Sequence, residues 1–349
     1  MNTTVRIGNR IIGDGTPCFI IAEAGSNHNG DLEQAKRLIE VAGRAGADAV
    51  KFQLFRASRL YPKAAGRSGY LKDSRSIYDV IAEMEMPEHW VPELSRYSQQ
   101  HGLIFLASVF DEELVDRLDP FVPAHKIASY EMTHVPLIRH VAGKGKPIIM
   151  STGAAHVAEI AETVEAVRQA GNPPLILMQC TAAYPAPIES LNLRTIATMK
   201  SQFGIPVGLS DHSRDPVVGP LTAVALGANL LEKHFTLSQA LPGPDHRFAV
   251  EPDGLRLMVE KVREGERALG TGEKTVHPVE EELRQFARRS IFALRDISPG
   301  EPLTKENIAV LRCGNLTLGL EPSQFEAILH KRAQRAIVAE SAIQPNDYA

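Results

Sequence analysis

Short apolar runs recur along the first 270 residues, and eight of them end in a polar or charged residue suited to binding or chemistry. In chain order these residues are Glu23, Lys51, Ser108, Lys126, Ser151, Thr181, His212 and His234. A β-strand followed by an α-helix, repeated eight times, closes into a barrel whose active site is built at the carboxyl ends of the strands. The recurrence therefore predicts an α/β fold, a (β/α)8 TIM barrel, with a single catalytic mouth.

The segments around these residues have the patterns of buried strands and covering helices. Continuous apolar runs such as FIIA, LIFLA, PIIM and LILM are typical of parallel strands buried on both faces. Residues 31–45, 156–170 and 253–269 carry apolar residues at three-to-four spacing, which predicts amphipathic helices around the barrel. The first of these helices has Asp31 or Asn29 as its candidate N-terminal cap.

The alternation of strand-like and helix-like segments stops after Leu269. Residues 271–289 are polar and carry Gly, Pro and clustered charges, which predicts a linker. From Ser290 onward the chain has short β-like pieces, and its roughly 60 residues are few for a free-standing fold. We therefore expect a barrel domain over residues 1–270 and a small β-rich domain over residues 290–349.

The composition is that of an ordinary globular protein, with 44% hydrophobic and 23% charged residues and a formal net charge of −4. This charge gives no case for nucleic acid as a partner, because nucleic-acid binding needs a basic surface. No secretory signal opens the chain, and no run reaches the roughly 18 apolar residues of a membrane span. We therefore expect a cytoplasmic protein without a membrane partner. Three widely spaced cysteines without a CxxC pair argue against a disulfide framework.

Two histidines, His212 in LSDHSRD and His234 in EKHFT, close the seventh and eighth runs. Imidazoles that project into one mouth, together with a carboxylate at Glu23, suit a divalent transition metal. Mn²⁺, Fe²⁺, Co²⁺ and Zn²⁺ all fit such a donor set. The alternative is that both histidines are hydrogen-bonded core or rim residues, which is the commoner role of a single histidine near a strand.

Lysines and serines at the ends of the runs indicate an anionic substrate. Lys51 and Lys126 lie in strand contexts, where a long cation is poorly placed unless it faces the mouth or extends to the barrel rim. The hydroxyls of Ser129, Ser151 and Ser210 can bind phosphate oxygens near helix N-termini, or can simply cap those helices. Together these residues predict a site for a small molecule with phosphate and carboxylate groups, facing a metal.

A set of longer segments is more specific. The segments AEAGSNHNGDLEQAKRLI, AGADAVKFQ, KIASYE, IIMSTG, CTAAYPAP, GLSDHS, ALGANLLEKHFTL and GPDH occur in this order. Together they resemble the sialic acid synthase family, whose members condense phosphoenolpyruvate with an acetamido-hexose. Residues 290–349 resemble the family's C-terminal antifreeze-like (SAF) domain. The resemblance covers essentially the whole chain, and it implies an N-acetylneuraminate synthase or a related nonulosonate synthase.

The resemblance also implies a role for each matching residue. The metal, most commonly Mn²⁺ with Mg²⁺ or Co²⁺ as alternatives, would be held by His212 and His234. Catalytic roles would fall to Glu23, Lys51, Lys126 and Asp245. Substrate-binding roles would fall to Gln53, Ser108, Ser129, Glu131, Ser151, Thr181, Tyr184, Ser210 and Arg312. The resemblance further implies a homodimer in which residues 290–349 of one chain complete the other chain's site through Arg312.

The implied reaction begins when C3 of phosphoenolpyruvate attacks the aldehyde carbon of the open-chain sugar. Positive charge then develops at C2 of the pyruvyl unit. Water adds at C2 with Glu23 as the base, and the tetrahedral intermediate expels phosphate by C–O cleavage.

Two segments depart from the family pattern. Ala182 stands where members commonly carry an asparagine, which removes one expected phosphate donor. GPDH, with His246, is the form of the sialic and legionaminic acid synthases, whereas Phe248 matches a phenylalanine of the pseudaminic acid synthases. We expect N-acetylmannosamine as the acceptor, with the diacetamido-hexoses of the pseudaminic and legionaminic pathways as the alternative. An octulosonate-type synthase, a metal-dependent aldolase and a non-catalytic sugar-binding scaffold are more remote alternatives.

Overall fold

The computed structural model describes residues 4–67, 69 and 74–349 and divides the chain into two compact units, residues 1–270 and 271–349. Twelve strands are present in the described chain. They are β1 Thr4–Ile7, β2 Arg10–Gly13, β3 Phe19–Gly25, β4 Ala49–Leu54, β5 Ile104–Val109, β6 His125–Ile127, β7 Ile148–Ser151, β8 Leu175–Cys180, β9 Val207–Asp211, β10 Leu230–His234, β11 Arg289–Ala293 and β12 Ile308–Arg312.

Helices follow or flank most of these strands. The α-helices are α1 Leu32–Ala45, α2 Ala57–Leu60, α3 Ile77–Glu83, α4 Val91–Gln100, α5 Glu112–Leu118, α6 Val135–Ala142, α7 Val157–Gln169, α8 Thr195–Phe203, α9 Val218–Ala225, α10 Pro252–Leu269, α11 Glu281–Ala287 and α12 Phe325–Ile328. Short 3₁₀ helices are Lys63–Ala65, Glu88–Trp90, Asp119–Phe121, Ser129–Thr133, Ile188–Ser190, Pro278–Glu280 and Pro322–Gln324. None of the described helices combines the length and apolar character needed to cross a membrane.

Strands β3 to β10 form a closed parallel barrel, with β10 pairing back to β3. This confirms the predicted TIM barrel. Residues of each strand alternate between the barrel interior and the layer under the helices. In β10, Leu231 packs in the layer under the helices, whereas Leu230 packs inside the barrel. Glu232 and His234 therefore share the inner face with Leu230.

The helix that follows the first barrel strand, α1, has an N-terminal cap and a buried apolar face where the sequence predicts them. Asp31 caps α1 by accepting a hydrogen bond from the backbone N–H of Glu33, at 2.9 Å. This selects Asp31 rather than Asn29 as the cap. Leu38, Ile39 and Ala42 of α1 are buried against the barrel. Gly46 ends the helix in a left-handed conformation, with φ of 82°, which glycine adopts without strain.

A short N-terminal hairpin, β1 with β2, closes the amino-terminal end of the barrel. Val5, Ile7 and Ile12 pack with the first residues of the barrel strands, such as Phe19 and Leu230. The barrel interior is therefore filled at this end. The opposite end, where the strands finish, is left for polar side chains.

The second unit begins with the polar segment whose composition predicts a linker, and this segment contains helix α11. Strands β11 and β12 then form an antiparallel pair, in which Arg289 lies opposite Arg312. The small core of this unit includes Ile291, Leu303 and Ile343.

The packing between β9 and β10 gives a test of the barrel. A Cβ on Gly208 of β9 would lie 2.3 Å from the carbonyl oxygen of Leu230, so Gly208→Ala must displace the backbone of β10. We expect this variant to lose about 1–3 kcal/mol of stability, or more, because overpacked cores relax poorly. Thermal and urea denaturation would measure the loss. Gly69→Ala is the control, because no other described residue lies within 4 Å of a Cβ there; an equal loss in both variants would contradict the explanation.

Candidate active site

The eight polar residues that end the apolar runs come together at the carboxyl ends of the barrel strands. Thr181 and His212 follow β8 and β9 directly, and the others lie within their strands. Strand β4, for example, continues three residues beyond Lys51. The strand continues because Phe52 and Leu54 face the layer under the helices, while Lys51 points into the mouth.

A buried cluster of opposite charges lies at the base of this mouth. The ammonium nitrogen (Nζ) of Lys51 is 2.9 Å from Oε2 of Glu23 and 3.6 Å from Oε1 of Glu232. It also donates a hydrogen bond to the hydroxyl of Ser108, at 2.9 Å. The four side chains are almost completely buried. A buried lysine of this kind needs such partners, because an unpaired charge is costly away from water.

Lys126 forms the second half of this cluster. Its Nζ donates a hydrogen bond to the hydroxyl of Ser151, at 2.8 Å, and lies 3.8 Å from Oε2 of Glu232. The hydroxyl of Ser210 donates to Oε1 of Glu232, at 3.4 Å. Glu232 therefore lies between the two lysines and links strands β4, β6, β9 and β10.

Burial and charge pairing set the protonation of this cluster. Burial disfavours the charged form of Lys51, but Glu23 and Glu232 outweigh burial and raise its pKa. Burial lowers the pKa of Lys126, and Glu232 offsets this effect only in part. Burial also raises the pKa of Glu23, against the opposing effect of Lys51. The pKa of Glu232 is lowered, because Lys126 and Lys51 together outweigh its burial.

The two histidines lie side by side above this cluster, with ring centroids 5.3 Å apart. Nδ1 of His212 is 3.0 Å from the carbonyl oxygen of Thr181, a contact that directs Nε2 away from the backbone. Burial, with His212 nearby, lowers the pKa of His234 well below its ordinary value, which favours the neutral imidazole. Tyr184 stacks on His212 at 4.1 Å, and Phe248 packs on His234 at 5.1 Å.

Three polar atoms converge on a small space beside Gly25. A Cβ placed on Gly25 would lie 3.1 Å from Oδ2 of Asp245, 3.6 Å from Oε1 of Glu23 and 3.7 Å from Nδ1 of His234. Burial raises the pKa of Asp245 to about 6. Gln53 donates a hydrogen bond to Oε1 of Glu23, at 3.2 Å, and so orients this carboxylate. Glycine keeps the space open for a ligand.

The chemistry of these donors fits a divalent metal. Nδ1 of His234 is buried and has no hydrogen-bond partner among the described residues. A neutral imidazole with a free lone pair, next to a second imidazole and carboxylates, is a donor set for Mn²⁺, Co²⁺ or Zn²⁺. The described residues do not include three such side chains already drawn together as a complete metal site.

Hydroxyl groups line the other side of the mouth. The Ser129 hydroxyl accepts a hydrogen bond from the backbone N–H of Gly153, at 3.0 Å. A Cβ on Gly153 would lie 2.8 Å from that hydroxyl oxygen, 3.0 Å from Sγ of Cys180 and 3.1 Å from Cβ of Ala182. Ala182 therefore lies next to Ser129, where an asparagine would add an amide to this group of hydroxyls.

The side chains of three expected site residues have environments that differ from the charged cluster, the histidine pair and the hydroxyl groups described above. The Thr181 hydroxyl donates to the carbonyl oxygen of Ser190, at 2.7 Å, so its side chain is already engaged by the backbone. Oε2 of Glu131 is buried without a described partner, and burial raises the pKa of this carboxyl to about 7. Arg312 is exposed at the end of β12 in the second unit.

A cavity of about 710 Å³ opens beside Asp245. Its lining includes Ser26, Asn27, Asn29 and Arg247, which offer hydroxyl, amide and guanidinium groups. Buried His246 helps to shape this wall, because its Nε2 is 3.0 Å from Oδ1 of Asn29. The cavity is polar and large enough for a sugar.

Glu232 is a functional candidate that the sequence reading missed. The pattern of residues that end the apolar runs does not include it, because the run in β10 ends at His234. The signal was present, because Glu232 lies two residues before His234 and strand residues two apart share a face.

Comparisons with known proteins show the family of this chain. The sequence profile described as the NeuB family matches residues 38–274, and that of the SAF domain matches residues 288–349. The chain is 43% identical to the spore coat polysaccharide biosynthesis protein SpsE of Bacillus subtilis, covering 98% of this chain and 96% of SpsE. The crystal structure of SpsE superposes with a TM-score of 0.68, at 41% identity over 99% of both chains.

Two further relatives carry names that state an activity. N,N'-diacetyllegionaminic acid synthase of Legionella pneumophila is 38% identical, over 95% of this chain and 94% of its own. Pseudaminic acid synthase of Campylobacter jejuni is 36% identical, over 95% and 96%. The chain belongs to the NeuB family of sialic acid synthase-like proteins, with a C-terminal SAF domain. It is a phosphoenolpyruvate-dependent enzyme of the nonulosonate synthase class.

The raised pKa of Glu131 gives a pH-dependent prediction. A carboxyl with a native pKa of about 7 and an unfolded pKa of 4.5 binds its proton more tightly in the folded state, so stability falls as pH rises between these values. The isosteric Glu131→Gln variant lacks this loss. Its stability relative to wild type should therefore rise by on the order of 2 kcal/mol between pH 5 and pH 8. Urea denaturation at both pH values measures the change, and parallel curves for the two proteins would contradict it.

Proposed function

We propose that this enzyme condenses phosphoenolpyruvate with N-acetylmannosamine, releases phosphate and forms N-acetylneuraminate. The observation that carries the proposal is the pair of buried lysines, Lys51 and Lys126, each beside a serine hydroxyl at the carboxyl ends of the barrel strands. Such cations are suited to a small anionic substrate. Glu23 pairs with Lys51, and His234 lies opposite Glu23 in the strand register with His212 beside it.

Phosphoenolpyruvate would bind where the lysines and hydroxyls converge. Its phosphate and carboxylate oxygens accept hydrogen bonds from Lys51, Lys126 and their serine partners, and the barrel excludes water from these bonds. Ser129 and Ser210 extend this set of hydroxyls on the neighbouring strands. The Ala182 position lacks the amide of other family members, so these hydroxyls carry more of the phosphate contact.

His212 and His234 would hold a divalent metal, most commonly Mn²⁺, with Mg²⁺ or Co²⁺ as alternatives. When bound, such an ion polarises the aldehyde oxygen of the acceptor sugar. The free Nδ1 of His234 and its neutral imidazole support this assignment. Tyr184 and Phe248 pack on the two rings and fix their orientation.

The acceptor sugar would occupy the cavity beside Asp245. The carboxyl of Asp245 binds the sugar near the aldehyde, since its Oδ2 converges with Glu23 and His234 on the space beside Gly25. Gln53, through its bond to Glu23, and Tyr184, stacked on His212, would contact the sugar from the mouth, and Glu131 would join them as the family resemblance implies. Thr181 holds the backbone turn below Tyr184 through its bond to Ser190.

Bond formation then follows from this arrangement. C3 of phosphoenolpyruvate attacks the aldehyde carbon, whose oxygen takes up a proton and becomes a hydroxyl group, and C2 becomes electron-poor while Lys51 and Lys126 hold the phosphate. Glu23 takes a proton from the water that adds to C2, and burial strengthens it as a base by raising its pKa. The tetrahedral intermediate expels phosphate as the C2–O bond breaks, and the lysines stabilise the departing charge.

A diacetamido-hexose is the second candidate acceptor, and Phe248 favours it. The ring of Phe248 is buried beside Tyr184 and His234, so it shapes the acceptor side of the mouth. The relatives named as legionaminic and pseudaminic acid synthases point in the same direction.

A substrate screen tests the proposed function. The enzyme is incubated with phosphoenolpyruvate, Mn²⁺ and either N-acetylmannosamine or a diacetamido-hexose, and phosphate release and product mass are recorded. We expect phosphate release only when both substrates are present, with one nine-carbon product per phosphate. Chelation should stop the reaction and added Mn²⁺ should restore it. If only the diacetamido-hexose is turned over, it is the acceptor in place of N-acetylmannosamine. Phosphate release without any sugar would contradict the proposed condensation.

The role of Glu23 makes a second prediction. Glu23→Gln keeps the shape of the side chain and removes the base, so the rate should fall roughly 10²–10⁴-fold while phosphoenolpyruvate binding is largely retained. Steady-state kinetics and calorimetry measure the two effects. A variant that keeps more than about half the wild-type rate would show that another group takes the proton from the attacking water.

We also propose that the enzyme is a homodimer in which Arg312 of one chain reaches the other chain's acceptor site. The proposal rests on the family resemblance of the C-terminal unit and on the exposed position of Arg312. A planar guanidinium can bind carbonyl and hydroxyl oxygens of a sugar through two hydrogen bonds. In a two-fold dimer this contact is reciprocal.

Mixed dimers test this exchange. When inactive Glu23→Ala and Arg312→Ala chains are refolded together in equal amounts, about half of the dimers are mixed, and each mixed dimer has one intact site. Activity should recover to about a quarter of wild type, measured as phosphate release. Activity no higher than that of the two parents, after refolding of wild type has been shown to succeed, would contradict the exchange.

A further inference from the structure

A second buried ion pair lies directly behind the two histidines. Lys233 of β10 and Asp211 of β9 are opposite each other in the strand register, and Nζ of Lys233 is 2.7 Å from Oδ2 of Asp211. Each is 1% exposed. Asp211 directly precedes His212, and Lys233 directly precedes His234. The pair faces the layer under the helices because strand residues alternate, so it cannot touch a substrate in the mouth.

The Lys233 ammonium also forms hydrogen bonds with the loop that begins with His212. Its Nζ donates hydrogen bonds to the carbonyl oxygens of Ser213, at 2.5 Å, and of Asp215, at 2.9 Å. The Ser213 hydroxyl lies 3.2 Å from the same nitrogen. A charge buried this deeply is stable only when its donors are all engaged, and here the partners come from one short loop.

The carboxylates of this loop complete the arrangement. Asp211 accepts hydrogen bonds from the backbone N–H and hydroxyl of Ser213, at 2.8 and 3.1 Å. Asp215 accepts from the backbone N–H groups of Val217 and Val218, both at 2.7 Å, at the start of α9. A Cβ on Gly219 would come within 2.8 Å of Oδ2 of Asp211, so glycine permits this close approach.

We infer that the Lys233–Asp211 pair is a positioning device that sets the spacing of His212 and His234 for a shared metal ion. Each member of the pair is the chain neighbour of one histidine, and the bond between them joins the two strand ends. The loop bonds of Lys233 then fix the backbone just after His212. Lys233 acts through the histidines and touches neither substrate nor metal. The inference rests on the proposed role of the two histidines as metal ligands.

The test measures Mn²⁺ binding directly, by electron paramagnetic resonance of free Mn²⁺ in titrations of the metal-stripped protein. Lys233→Met leaves the Asp211 carboxylate buried without its partner, and this variant risks misfolding. The double variant Lys233→Met, Asp211→Asn removes both charges and retains an acceptor for the Ser213 N–H, so it should fold. Groups that orient metal ligands typically contribute 10–100-fold to affinity. We therefore expect the double variant to bind Mn²⁺ roughly 10–100-fold more weakly, with phosphoenolpyruvate affinity in chelator changed less than about threefold.

Matched controls separate positioning from general loosening. Arg263→Met also breaks a partly buried ion pair, because Arg263 lies 3.0 Å from Asp48 just before β4 at the far end of the barrel. This variant should lose stability and keep wild-type Mn²⁺ affinity. His234→Ala should lose Mn²⁺ binding.

Each outcome decides a separate point. Wild-type protein that binds no Mn²⁺ would overturn the metal assignment and this inference with it. Wild-type affinity in the double variant would overturn the inference alone and leave the proposed function intact. An equal loss of Mn²⁺ and phosphoenolpyruvate affinity, or an equal loss of Mn²⁺ affinity in Arg263→Met, would show general loosening and would also overturn it.

Discussion

The mouth of the barrel depends on the balance of charge between two buried lysines and two buried carboxylates. Lys51 contacts Glu23 and Glu232, and Glu232 also approaches Lys126, so no charge in the group is left without a partner. Removing one partner from such a cluster without replacing it is costly, because it leaves a buried charge uncompensated. We therefore propose that an anionic substrate enters by taking over hydrogen bonds that the serines and carboxylates already make with the lysines.

Because strand side chains alternate in direction, the two faces of one strand carry residues with different roles. In β9 and β10, the inner face carries Ser210, Glu232 and His234 toward the mouth, whereas the outer face carries Asp211 and Lys233 under the helices. Residues that face the mouth and residues that support them are therefore adjacent in sequence. The closed N-terminal end, filled by the β1–β2 hairpin, leaves the carboxyl ends of the strands as the open end of the barrel.

Much of this architecture could be predicted from the sequence because it follows from local patterns. Buried parallel strands are mostly apolar, so a polar residue within such a run indicates a side chain with a partner or a function. Lys51 and His234 could be predicted as site residues on this basis. The Lys233–Asp211 pair could not be found in this way, because it depends on the register between two strands. The N-terminal hairpin was missed because the surface that it covers forms only when the barrel closes. Helix α11 lies in a segment whose polar composition resembles a linker.

We propose that the lysine cluster holds phosphoenolpyruvate while Glu23 directs water to C2, so that the C2–O bond breaks. Phosphoenolpyruvate labelled with ¹⁸O in the oxygen that bridges C2 and phosphorus tests which bond breaks. We expect all of the label to leave with inorganic phosphate and the new oxygen at C2 of the product to come from water, as mass spectrometry would show. Label retained in the sugar product would mean that the P–O bond breaks instead, and would contradict the role given to Glu23.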